Sequence, residues 1–242
     1  MRLCTTRMIA LSTRVLAALS AVLLVAAPAC VDPAAAAGPA TTPGGFETRL
    51  EVALLLQTLN AELLSHDSAT LVLEHWCRIH QLASPPRIVA ERVPGAYQAP
   101  TQEQRRQLRA TEPTAVRYRR VRLMCGGVLL SEADNWYVPE RLTPGINQQL
   151  DTTDTPFGLV VRPLRFQRRT LAAQLLWTVL PEDWAMRLPG ASAAESELCF
   201  PAQVLQHRAI LVLPDGTPFS EVVETYTSNV LNVPLLGSRH PC

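Results

Sequence analysis

Three places in this chain combine residue types and spacing in a way that could do chemistry. Arg120 lies in the run from Val116 to Cys125, which alternates with the period of two of a β-strand. Val116, Tyr118, Arg120, Arg122 and Met124 share one face; Arg117, Arg119, Val121, Leu123 and Cys125 share the other. An arginine bracketed by Tyr118 and Met124 stands in partly apolar surroundings. There a guanidinium is either the bidentate partner of a bound carboxylate or half of a structural ion pair. Glu224 falls mid-strand between Val222 and Tyr226. A carboxyl so placed is either paired with a cation or raised in pKa, and a raised carboxyl can hand a proton to a leaving oxygen. The third place is Asp154-Thr155-Pro156-Phe157-Gly158, a turn before an expected strand, where free backbone N–H groups can hold a carboxylate oxygen.

These groups need a scaffold, and the apolar periodicity supplies one. Thr48 to Leu64 places Leu50, Leu54, Leu55, Leu59 and Leu63 at helical spacing, and Ser68 can cap a second helix through His80 with Leu71, Trp76 and Ile79 for its buried side. Pro85 and Pro86 end that helix, and Arg87 to Val93 reads as a short strand. A polar, Arg-rich stretch follows around residues 100–113. Val116 to Cys125 and Val128 to Val138 flank Gly126-Gly127, a dipeptide that takes positive φ cheaply, so they form a hairpin. Pro139 to Leu150 reads as a short helix, and Leu159 to Leu180 contains a long strand. Gln203 to Leu213 and Thr217 to Thr227 flank Pro214-Asp215-Gly216, a second hairpin. Strands joined by hairpins rather than crossover helices imply an antiparallel sheet, hence an α+β class.

Composition narrows the chemistry. Apolar residues make up 48% of 242 and aromatics only 5%, so the core is built mainly from Leu, Val and Ala. A formal charge of +1 gives no global field toward nucleic acid or an anionic membrane. Arg105, Arg106, Arg117, Arg119, Arg168 and Arg169 accompany no recognition motif, and no nucleic-acid partner is expected. The chain contains no lysine, which excludes Schiff-base chemistry and Walker-type phosphate loops. Residues 1–30 carry Arg2, Arg7 and Arg14 before an apolar run from Val15 to Ala27, the pattern of a signal peptide. Cleavage before Cys30 would leave a lipid anchor, and cleavage near Ala37 a free protein. Residues 31–46 read as a flexible linker and 47–242 as one domain, expected to be monomeric and exported: periplasmic, secreted or lipid-anchored. A mis-assigned start codon would instead leave it in the cytoplasm. Cys77, Cys125, Cys199 and Cys242 permit two disulfides with the pairing open, or buried free thiols. Cys77 and His80 have no second ligand pair, so no metal is expected.

The motifs also occur in an order that resembles a known family. His66-Asp67-Ser68-Ala69-Thr70 opens a helix, and Tyr118-Arg119-Arg120-x-x-Leu123-Met124-Cys125 leads to Val138-Pro139. Thr155-Pro156-Phe157-Gly158 follows, and then Gly216-Thr217-Pro218 runs into Val222-Val223-Glu224-Thr225-Tyr226. Over roughly residues 50 to 230 this is similar to the chorismate pyruvate-lyases, carbon–oxygen lyases that split chorismate into 4-hydroxybenzoate and pyruvate. The resemblance implies an antiparallel sheet with helices packed on one side, a fold shared with the UTRA ligand-sensing domains of bacterial regulators. It implies no cofactor, and a small aromatic carboxylate as substrate or product. By the same resemblance Arg120 grips the ring carboxylate and the Phe157 backbone N–H assists it. Glu224 lies at the ring hydroxyl and the departing ether, and Ala69 packs over the ring. The family's second site arginine falls at Asn135, so Arg122, Arg162 or Arg165 is a candidate for the missing charge. The alternative implied is an exported, non-catalytic binder of the same ligand.

Overall fold

The computed structural model describes residues 45–180, 182, 184–186, 198–233 and 240–241. The expected signal peptide and most of the linker lie outside them.

Two helices open the domain. In α1 (Phe46–Ser65) the buried face is Val52, Leu56, Leu59 and Leu63, while Leu54 is 68% exposed. The leucine repeat therefore points to the right element but includes a position on the solvent side. Ser68 caps α2 (Ala69–Ile79) by accepting from the Leu71 N–H. Val72, Leu73, Trp76 and Cys77 form its buried side; Leu71 and Ile79, expected there, are exposed. Only Trp76 of the expected trio is buried.

The main sheet runs β1-β2-β3-β7-β6-β4, and every neighbouring pair is antiparallel. Its strands are β1 (Ile88–Arg92), β2 (Arg117–Cys125), β3 (Val128–Tyr137), β4 (Gln167–Leu175), β6 (Gln203–Val212) and β7 (Pro218–Thr227). A two-residue strand β5 (Cys199–Phe200) pairs with β8 (His240–Pro241). The turns follow the glycines, with Gly126 at φ 52°, Gly127 at φ 87° and Gly216 at φ 80°. The chain is thus α+β.

α1 and α2 cover one face of the sheet, where Val121, Leu123, Cys125, Ala133, Leu205, Ala209, Val222 and Tyr226 join their core. Leu108 and Ala110, just after the short α3 (Gln102–Gln107), pack on the other face against Trp136, Ile210 and Val212. Pro139 to Leu150 divides into a 3-10 turn (Pro139–Arg141) and α4 (Pro144–Thr152), and Phe157–Val160 is a helical turn, α5, rather than the start of a strand. Pro156 stands at the N-cap of α5, and its carbonyl accepts from the Leu159 and Val160 N–H groups. Cys77 and Cys125 are joined in a disulfide that ties the end of α2 to the end of β2.

Candidate functional site

Strand register determines which side chains meet beneath the helices. On the helix-covered face, Arg119 of β2 stands opposite Asn135 of β3, which stands opposite Val222 of β7. Two residues along, Val121, Ala133, Glu224 and His207 form the next row across β2, β3, β7 and β6. Successive same-face residues are about 7 Å apart, so Arg119, Asn135 and Glu224 lie around one point. Over it sit Ser68, Ala69 and Thr70 from the start of α2, Phe157 and Gly158 from α5, and Phe166 and Arg168 from the entry to β4. These residues line a cavity of about 40 Å³.

Arg119 belongs to this cavity and Arg120 does not, which corrects the reading of the strand. The Arg120 side chain is 36% exposed on the opposite face, between Glu132 at 3.1 Å and Asp134 at 3.7 Å. Tyr118 donates to Asp134 beside it, and burial followed by that contact pushes the phenol up to about 12. Arg120 is thus held by two half-buried carboxylates and lines the open groove rather than the cavity. Arg122 extends the same ladder, 3.6 Å from Glu132. The apolar trio Val121, Leu123 and Cys125 marked the interior face all along, and Arg119 continues it.

Arg119 is buried, with 8% of its surface exposed. One terminal nitrogen donates to the Thr155 carbonyl at 3.4 Å, and Nε has no partner among the described residues. No carboxylate within ion-pair distance of it is found among those residues, and desolvation lowers its pKa. Asp154 and Asp151 offset part of that cost from a distance, but a buried guanidinium without a direct ion pair is costly to maintain. Arg119 also borders an open groove on the outer side with Arg92, Tyr118 and Arg120, so it separates groove from cavity.

Arg168 is the other cavity arginine, and no feature of its strand pattern distinguishes it as interior. Its Nη2 donates to Glu224 Oε2 at 2.7 Å, and its backbone N–H donates to Asp67 Oδ1 at 2.8 Å. Burial works against the Arg168 charge, but Glu224, Tyr226 and Asp67 together outweigh it and the pKa rises. Its Nε is buried and unpartnered among the described residues. Tyr226 also donates to Glu224 Oε2, at 3.2 Å, and burial and then Glu224 hold that phenol far above its usual range. His207, beside Glu224 in the register, meets Asn60 of α1 at 2.8 Å and packs edge-on against Tyr226. Burial, then Arg168, push it down to about 4, so it is neutral at pH 7.

Of the remaining expected residues, Phe157 and Ala69 line the cavity, Phe157 with its ring stacked on Phe219. Asn135 lines it too; its amide oxygen accepts from Ser220, which leaves its N–H groups free to donate. Arg162 lies elsewhere, in a chamber of about 230 Å³ with His66, Leu71 and Arg165. Asp67, Ser68, Gly158 and Phe166 line both spaces. At Gly158 a Cβ would lie 3.2 Å from Ser68 Oγ and 3.3 Å from Thr70 Oγ1, so glycine is what allows α5 to approach α2 so closely.

Fold and site together define an α+β domain whose sheet carries, under its helices, a cavity lined by two arginines and two carboxylates. The chain is 49% identical over 193 residues, 79% of its length and 81% of the relative, to uncharacterized protein y4mC of Sinorhizobium fredii, and belongs to the same family. No protein-family model matches it. Among solved structures it is similar to PhnF of Mycobacterium smegmatis (13% identity, 74% of this chain and 69% of that chain, TM-score 0.43). It is also similar to a GntR-family transcriptional regulator of Bacillus cereus (9% identity, 64% and 97%, TM-score 0.36).

Proposed function

We propose that the cavity binds the carboxylate of a small aromatic acid and that the protein eliminates pyruvate from chorismate or a close relative. The observation that carries this reading is Arg119: a buried guanidinium with no carboxylate partner among the described residues and an unpartnered Nε, facing the same space as Glu224. Its missing counter-ion is the ligand. Asn135 supplies neutral donors alongside, and Val121, Leu123, Phe157 and Phe166 form apolar walls for a ring. A cavity of about 40 Å³ is small beside a benzoate ring. A carboxylate group fits, and a ring needs further space, which adjoins the cavity across Asp67, Ser68, Gly158 and Phe166.

In the elimination the ether C–O bond breaks and the ring gives up a hydrogen as it becomes aromatic. The departing enolpyruvate takes up a proton to become pyruvate, so no oxidant or cofactor enters. The protein's share is to hold the acid, neutralise its charge and exclude water. Glu224, fixed by Arg168 and Tyr226, orients the ring hydroxyl or exchanges a proton there. The disulfide supports an oxidising, exported location.

A second reading, a binder without turnover, is favoured by one detail: Glu224 Oε2 already accepts from both Arg168 and Tyr226. Incubation of the protein with chorismate decides between them. Release of 4-hydroxybenzoate and pyruvate supports the lyase; binding of 4-hydroxybenzoate without consumption of chorismate supports the binder; neither binding nor turnover overturns both.

A further inference from the structure

One edge of the main sheet is protected along half its length and open along the other half. β4 ends the strand order, and among the described residues no strand pairs with its outer side. Its first half is blunted. The Arg168 N–H is taken by Asp67, Arg169 is an exposed charge, and the ladder to β6 bulges between Thr170 and Ala172. Charges and bulges of this kind keep a sheet edge from pairing. The second half has neither. Residues 170–180 include no charged residue, proline or glycine, and Ala172, Ala173 and Gln174 are exposed. Leu171 and Leu176, on either side of them, are exposed apolar side chains.

The phase of the ladder determines which backbone groups are free. The Leu176 N–H donates to the Val204 carbonyl at 3.0 Å, so Gln174 and Ala172, at alternate positions before it, also turn to β6. The N–H and C=O of Ala173 and Leu175 therefore point outward. This stretch is complementary to itself. On a two-fold axis through Gln174, an antiparallel pair sets Ala173 opposite Leu175 of the second copy, and Ala172 opposite Leu176, so each small side chain meets a large one. Gln174 meets its own copy, and an amide both donates and accepts. Arg168 and Arg169 fall outside the paired stretch, so no like charges are opposed.

We propose that a second copy of this chain adds antiparallel to β4 through residues 172–176, joining the two sheets across a two-fold axis in place of the monomer expected from the sequence. The strand braced in this way carries Arg168, the partner of Glu224. A contact through so short a stretch is small beside the roughly 1,600 Å² of a standard interface, so the dimer is weak and depends on concentration.

Sedimentation of the full-length chain from micromolar to millimolar concentration should show a monomer–dimer equilibrium. Ala173→Pro removes an outward N–H that no strand of the same chain uses, a position where an edge strand tolerates proline. Its circular dichroism should match the wild type, while dimerisation weakens about tenfold or more, because the two-fold axis loses the bond twice. Gln174→Glu and Gln174→Arg each place like charges across the axis and should be monomeric alone, yet an equimolar mixture of the two should dimerise. A wild type that stays monomeric throughout, or a folded Ala173→Pro variant that dimerises as before, overturns the proposal. So does a mixture of the two Gln174 variants that associates no better than either alone.

Discussion

The Arg168 guanidinium lies 2.7 Å from the Glu224 carboxylate, both almost wholly buried, while Arg119 lines the same cavity without such a partner among the described residues. One cation is balanced by a carboxylate, and the other has only the Thr155 carbonyl as a partner among those residues.

A buried charge without a counter-charge lowers stability. Replacing Arg119 by Met keeps much of the volume and removes the charge, so the unliganded protein should gain about 1–3 kcal/mol. Affinity for 4-hydroxybenzoate should fall by about 1.5–3 kcal/mol, the worth of a hydrogen bond to a charged group. Thermal denaturation with and without ligand reads both quantities. A variant that is less stable and binds as before would make Arg119 a structural residue.

Much of this architecture could be read from the residues. Ser68 marks the start of α2, Gly126-Gly127 and Asp215-Gly216 mark the hairpins, and Glu224 emerges mid-strand, because each is a local signal. The interior face of β2 was harder. Arg119 and Arg120 are adjacent and equally polar, and although Val121, Leu123 and Cys125 share the face of Arg119, Tyr118 and Met124 make the face of Arg120 partly apolar too. What decides is α2 packing over Val121, Leu123 and Cys125, a contact between distant segments. Arg168 was harder still. Its strand is a sheet edge exposed along most of its length, and its partner Glu224 is 56 residues away. The leucines of α1 show the same limit, since helical spacing alone admits Leu54, which faces solvent.

His207 ties stability to acidity. Burial first, then the Arg168 charge, lowers its pKa from 6.5 to about 4 in the folded state. An unfolded chain takes up the proton near 6.5, so between there and about 4 the unfolded state binds more protons and stability falls with falling pH. Above 6.5 the contribution is fully present. The loss across that window is at most about 3.5 kcal/mol. His207→Gln, which can still pair with Asn60, should flatten the decline in denaturant midpoint between pH 7 and pH 4. An identical decline in the variant would assign it to other groups.

The Cys77–Cys125 disulfide closes a loop with a sequence separation of 48. Cys77→Ser combined with Cys125→Ser should cost about 4 kcal/mol through the freedom returned to the unfolded chain. Both cysteines are 0% exposed, so a reductant should act only as fast as the protein opens. Thiol release that is rapid under native conditions would contradict this burial.

Glu224→Gln separates catalysis from structure once the charge it leaves behind is taken into account. The glutamine keeps the shape and can still accept from Arg168, but the guanidinium loses its counter-charge in a buried place, and stability should fall by about 3 kcal/mol. That fall occurs whether or not the residue takes part in turnover, so melting temperature alone decides nothing. Adding Arg168→Met removes the stranded charge and should restore most of the stability. If Glu224 exchanges a proton with the substrate, turnover of chorismate per folded molecule should drop about 10²-fold or more in Glu224→Gln. It should stay low in the double variant even as the protein regains its melting temperature. If Glu224 only anchors Arg168, any turnover should remain near that of the wild type in Glu224→Gln at temperatures where the variant is folded. A stable double variant with full activity would remove both residues from the chemistry and leave Arg119 as the functional centre of a binding protein.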